Sequence, residues 1–160
     1  MKPHFKTLGL LVFWLATAGA LFYFFNEKLH PNTAEKLSSG PEVTLARDMS
    51  GHYRAEAFIN GVKTVVMVDT GATDVAISAK FAEQLGIQSN HAIRTQTANG
   101  ATVAYMTRLQ SIKLGGIEAN NVAASIVPNL GTDMLLGMSF LGRMDVRLYK
   151  GTMTIRAVSE

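Results

Sequence analysis

Asp69, Thr70 and Gly71 stand directly behind an apolar run, Val65-Val66-Met67-Val68. A strand that apolar is normally buried, and a carboxylate it delivers into a turn is costly unless hydrogen-bonded, paired or chemically employed. The neighbours fit a carboxylate that must hold and deprotonate a water. Gly71 lets the backbone come close and present its N–H groups. The Thr70 hydroxyl can bond a backbone carbonyl or an equivalent chain, and Ala72 is small enough to leave space in front of the acid. One carboxylate is a poor device for amide hydrolysis, because acid and base roles must both be filled. Two that share a proton fill both, since like charges a few ångströms apart do not readily ionise together. The plainer reading of Asp69 is a turn residue satisfied by local N–H groups.

Other chemistries find little support. The chain has no cysteine, which rules out disulfides and thiolate metal sites. His4, His30, His52 and His91 lack paired spacing on a helix, so no metal site is expected. A nucleophile elbow wants Gly where Leu141 follows Ser139-Phe140, and no histidine comes after Ser139. No phosphate- or dinucleotide-binding pattern occurs, and no cofactor is implied. The pI near 9.3 suggests nucleic acid, but from Glu42 onward eleven Lys and Arg face ten Asp and Glu. The net charge of +3 comes mainly from Lys2 and Lys6, so nucleic acid is not an expected partner.

The elements that must position Asp69 are mostly strands. Tyr53–Ile59 ends at the hairpin dipeptide Asn60-Gly61, and Val62–Val68 follows as a largely buried strand. Ser78 caps a short helix, Ala79–Leu85, with Phe81, Ala82 and Leu85 inward and Gly86 stopping it. Thr95–Ala98 and Ala101–Leu114 flank Asn99-Gly100, a second hairpin dipeptide. Val122–Val127 precedes Pro128, and Met134-Leu135-Leu136 leads into a brief helical turn around Ser139–Arg143. Val146–Tyr149 and Thr152–Val158 pair around Lys150-Gly151. Many short strands with one principal helix imply a closed, mostly antiparallel β domain over residues 43–160, without a visible internal repeat.

Two segments precede it. Thr7–Phe25 carries no charge and is long enough, at about 28 Å as a helix, to cross a bilayer core of about 30 Å. Lys2 and Lys6 before it keep the N-terminus cytoplasmic and export the rest. Ala16-Thr17-Ala18 and Ala18-Gly19-Ala20 resemble cleavage sites, but the apolar run Leu21–Phe25 continues past both, which favours an uncleaved anchor over residues 1–25. Residues 26–42, with Pro31, Pro41 and Ser38-Ser39-Gly40, read as a stalk.

With Val68-Asp69-Thr70-Gly71-Ala72 and, further on, Leu135-Leu136-Gly137-Met138-Ser139-Phe140-Leu141, the chain resembles the retropepsin-type aspartic proteases. It is most similar to their membrane-anchored, single-copy bacterial members, over roughly Tyr53–Ile155. The resemblance implies a retropepsin-like closed β barrel and a homodimeric endopeptidase with one Asp69 from each chain. It further implies that Thr70 locks the two loops across the dimer, that Gly71, Thr73 and Asp74 bind peptide, and that Ala98-Asn99-Gly100 sits in a flap. Leu136 is expected behind the catalytic loop, lining a side-chain pocket. Retroviral members carry Arg-Asn where Met138-Ser139 stands here, so their arginine brace is missing. The implied setting is the bacterial inner membrane with the protease domain on the periplasmic side. An exported, non-catalytic peptide-binding domain on the same fold is the alternative.

Overall fold

A computed structural model of the chain describes residues 4–97 and 100–158. The first hairpin joins β2 (Arg54–Ile59) to β3 (Val62–Val68), with Ile59 opposite Val62. Asn60 and Gly61 between them take φ of 49° and 83°, the left-handed pair that matches a two-residue loop to the twist of its strands. β3 is buried on one face only. Thr64, Val66 and Val68 point inward while Val62 and Val65 are exposed, which corrects the expectation of a largely buried strand and follows the two-residue period.

β4 (Val75–Ser78) is buried at every position. It runs into α2 (Ala79–Gln84), where the Ser78 hydroxyl accepts the Phe81 N–H. Phe81 and Ala82 are buried, Leu85 packs against the core and Gly86 leaves the helix at φ 66°. β5 (Ala92–Thr97) and β6 (Gly100–Leu114) pair with Thr97 opposite Gly100. Gly100 therefore opens β6 instead of sitting in the loop, and Ala98 and Asn99 lie outside the described residues. β7 (Ile117–Val127) begins five residues earlier than its apolar stretch suggests. β8 (Met134–Leu136) leads into α3 (Met138–Leu141), a second short helix. β9 (Met144–Tyr149) and β10 (Thr152–Ala157) form the last hairpin, and β10 also pairs with β1 (Glu42–Ala46).

The main sheet has the order β2-β3-β8-β4-β7-β6-β5, and a β2–β6 pairing closes its first six strands into a barrel. Most pairs are antiparallel, but β3–β8 and β4–β7 are parallel. These two pairs expose a duplication that the sequence hides. β2-β3-β4-α2 and β6-β7-β8-α3 share one order: a hairpin, a six-residue loop, a short buried strand, then a helix. The loops are residues 69–74 and 128–133. They interlock, because the Ser78 N–H donates to Asp133 O and the Met138 N–H donates to Ala72 O.

A helix, α1 (His4–Leu29), precedes the barrel. Its Thr7–Leu29 portion has a mean hydropathy of 2.0 and none of it is buried, which fits a membrane span or a signal sequence. The following residues, read as a stalk, lie against the domain. Asn32 is buried, its side-chain amide donates to Ala46 O and Arg54 O, and its Oδ1 accepts from the Ala46 N–H. Leu37 packs against the core, and the Gly116 N–H donates to Ser38 O.

Candidate active site

Asp69 is the first residue after β3, at the point where that strand parts from β8. Its N–H donates to Leu136 O at 3.1 Å, and its carbonyl accepts from the Ala72 N–H at 3.3 Å. The carboxylate Oδ1 accepts from the Gly71 N–H at 2.9 Å. Asp69 is half-buried. The desolvation expected of a carboxylate at the end of a buried strand is therefore incomplete in the single chain.

Short bonds fix the loop around it. Ala72 O and Thr73 O accept from the Met138 and Ser139 N–H groups, so the start of α3 lies against the Asp69 loop. Gly137 makes this approach possible, since a Cβ there would overlap Asp74 O. Ser139 contributes more than its place in the Met138-Ser139 pair foretold. Its Oγ accepts from the Val75 N–H at 2.9 Å and donates to Ala123 O at 2.7 Å, joining β4, β7 and α3. A serine just after Leu-Leu-Gly is the only trace of that role in the sequence.

The loop opens into a cleft of about 500 Å³, within the range of ligand-binding cavities. Asp69, Gly71, Ala72, Thr73 and Asp74 line it, together with Thr95 and Thr97 of β5. Thr70 is exposed, and neither it nor the half-buried Gly100 lines the cleft. Leu136 is fully buried, and its neighbour Leu135 reaches the cleft instead. In a strand consecutive side chains take opposite faces, so a pocket residue and a core residue stand one apart. The apolar wall is a cluster distinct from the main core, with buried Ala76 and Val127 and half-buried Ile93, Leu130 and Leu135. Ile93 and Leu130 were not singled out from sequence; only the alternation in β5 marks Ile93.

Arg54 also lines the cleft. Its guanidinium bonds Asp48 Oδ2 at 2.8 Å, and the Asp48 side chain is only 2% exposed. Burial works against ionisation of Asp48. The Ser50 hydroxyl, the His52 N–H and Arg54 outweigh it and hold the carboxyl below its ordinary range. Among the described residues no cluster of histidine and carboxylate side chains could hold a metal ion.

A family model described as "gag-polyprotein putative aspartyl protease" matches residues 55–143, the stretch from β2 through α3. The chain belongs to the retropepsin-like aspartic proteases. A crystal structure of a retropepsin-like aspartic protease from Rickettsia conorii superposes with a TM-score of 0.63 at 35% identity, covering 71% of this chain and 97% of that one. EIAV protease in complex with the inhibitor HBY-793 shares the fold at a TM-score of 0.51 and 16% identity, over 61% of this chain and 92% of that one. Among curated proteins, one from Rickettsia prowazekii, RP867, is 39% identical over 106 residues. Another, from the cobV 5′ region of a Sinorhizobium species, is 34% identical over 109 residues. The alignments cover 64% and 66% of this retropepsin-like chain, which spans about half the length of each of these relatives, 45% and 47%.

Proposed function

We propose that the chain is a membrane-anchored aspartic endopeptidase whose active site forms when two copies bring their Asp69 residues together. The carrying observation is the position of Asp69: a loop carboxylate held on one oxygen by the Gly71 N–H, lining a cleft of about 500 Å³. The duplicated half of the barrel has Pro128 at the start of its own six-residue loop. The second carboxylate must then come from another chain. One Asp69 takes a proton from the bound water as it attacks the peptide carbonyl, and the other, protonated, donates to the carbonyl oxygen. The first then passes its proton to the amide nitrogen as the C–N bond breaks, and the second takes a proton back from a hydroxyl of the tetrahedral intermediate, leaving a carboxyl and an amine product.

In this reading Thr70, exposed on the loop, bonds the partner's loop across the two-fold axis. Gly71, Ala72, Thr73 and Asp74 contact the extended substrate backbone. Ala98, Asn99 and Gly100 form a flap that closes over the peptide and excludes water. The Ile93–Leu135 wall takes an apolar side chain. No metal or cofactor enters the reaction. Residues 1–25 anchor the protein in the inner membrane, with the N-terminus cytoplasmic and residues 43–160 in the periplasm.

The test is peptide cleavage by the purified full chain in detergent. Activity is expected to peak at acidic pH, to be blocked by statine-type transition-state mimics and to vanish in Asp69→Asn. Absence of cleavage of a peptide library between pH 3 and 7 would favour a peptide-binding domain instead.

A further inference from the structure

Seventeen residues of stalk, if free, would let the domain wander as far as about 60 Å from its anchor. The segment is not free. Asn32 bridges β1 and β2 through three side-chain bonds, and the Glu56 N–H donates to its carbonyl. Two residues on, the Ala34 N–H donates to the Glu56 carboxylate at 2.7 Å. Gly116 is packed so closely beneath Ser39 and Gly40 that a Cβ there would overlap their carbonyl oxygens. Lys36 turns back to pair with Glu27 of α1 at 3.1 Å. The linker is a strap fastened to the barrel from its third residue beyond the helix.

From these bonds we infer that the enzyme is built to cut peptide segments lying close to a membrane surface, an assignment that rests on the protease reading above. Glu27 and Lys28 set the edge of the hydrocarbon near Phe25. Four helical and three extended residues carry the chain from there to Asn32, at most about 17 Å away. Arg54, whose carbonyl accepts from Asn32, lines the cleft and pairs with Met67, two residues before Asp69. That path adds about 18 Å, so Asp69 stays within about 35 Å of the lipid boundary. The substrate class is the juxtamembrane part of membrane-held proteins or peptides lying along the bilayer, and segments displayed well above it are out of reach.

The full chain is reconstituted in phosphatidylcholine vesicles with single-span substrates carrying one cleavable segment. The segment sits directly after the span or on a rigid helical spacer of about forty residues, roughly 60 Å tall. Cleavage of the near segment is expected at least tenfold faster, with equal rates once both are dissolved in detergent. The Asn32→Ala/Gly116→Ala double variant, which frees the strap, should narrow that preference to about threefold or less. Equal rates for near and far segments with the wild type in vesicles would overturn the assignment. A second measurement does not depend on catalysis. The chain lacks cysteine, so Met49→Cys, at an exposed position beside Asp48, takes a single donor dye for energy transfer to headgroup acceptors. One narrow distance is expected for the wild type and a broad spread for the double variant; a broad spread in both would equally overturn the assignment. A narrow distance with no cleavage of any substrate would instead sink the protease reading, and the substrate class with it.

Discussion

The two halves of the barrel share an architecture but not a chemistry. Each has a hairpin, a six-residue loop, a short buried strand and a helix, and each loop bonds the strand–helix junction of the other half. One loop starts with Asp69-Thr70-Gly71 and the other with Pro128-Asn129-Leu130. Both loops end in an aspartate, Asp74 and Asp133, next to the strand that follows. Within one chain the scaffold is doubled and the acid is single. In the reading proposed here, a chain with two interlocking halves carries only half of a two-carboxylate site, and a second copy supplies the rest.

The sharpest way to break that comparison is to remove a carboxylate from each loop. Asp69→Asn should lower peptide turnover by at least about a thousandfold with an unchanged melting temperature. Asp133→Asn, at an exposed position, should change turnover by less than about twofold. Comparable losses in the two variants would mean that the halves are not chemically distinct.

Next in size are the contacts that hold the halves together. Gly137→Ala forces a Cβ against Asp74 O and should cost about 2–4 kcal/mol, read as a fall in melting temperature of roughly 10 °C. Ser139→Ala frees the Val75 N–H and Ala123 O and should cost about 1–3 kcal/mol in denaturant unfolding. Ser139→Thr, which keeps the hydroxyl, should recover part of that loss. A Ser139→Ala protein as stable as the wild type would show that the joint carries no weight.

The smallest effect concerns two carboxylates, Glu56 within β2 and Asp48 before it. Glu56 is held below its ordinary range chiefly by the Ala34 N–H, with Lys63 assisting and burial opposing. In Asp48 burial is the largest influence and opposes ionisation, but the hydrogen bonds and Arg54 prevail. Both groups bind protons more weakly folded than unfolded. Their stabilisation is complete above the ordinary values of 3.8 and 4.5 and is lost as pH falls below them. Urea unfolding of the wild type should weaken as pH falls from 5 to 3. Asp48→Asn should start less stable at pH 7 and lose less over the same interval; an unchanged acid slope would contradict that role.

Much of this was legible in the sequence because local chemistry decided it. Asn60-Gly61 and Lys150-Gly151 take the left-handed conformations their hairpins need, and Ser78 caps α2 where its position before Phe81 suggested. What escaped was set by partners far along the chain. β3 looks buried throughout by composition, but its pairing with β2 and β8 leaves one face open. The parallel pairs β3–β8 and β4–β7 have no local signature, and the duplication they reveal survives in topology with little more in the sequence than Thr73-Asp74 and Thr132-Asp133 at the two loop ends. Asn32 lies in a polar stretch rich in proline and serine, where nothing marks it as a buried bridge between two strands. Leu135 and Leu136 differ in role only through strand phase, which a three-residue strand is too short to declare.

Subunit mixing tests the half-site most directly. Wild type and Asp69→Asn are combined in equal amounts at fixed total protein, dissociated, reassociated, and assayed on a peptide substrate. If each active site needs Asp69 from both chains and the two forms pair at random, activity falls to about a quarter of the unmixed wild type. A value of about one half would mean that each chain works alone, and would contradict the account.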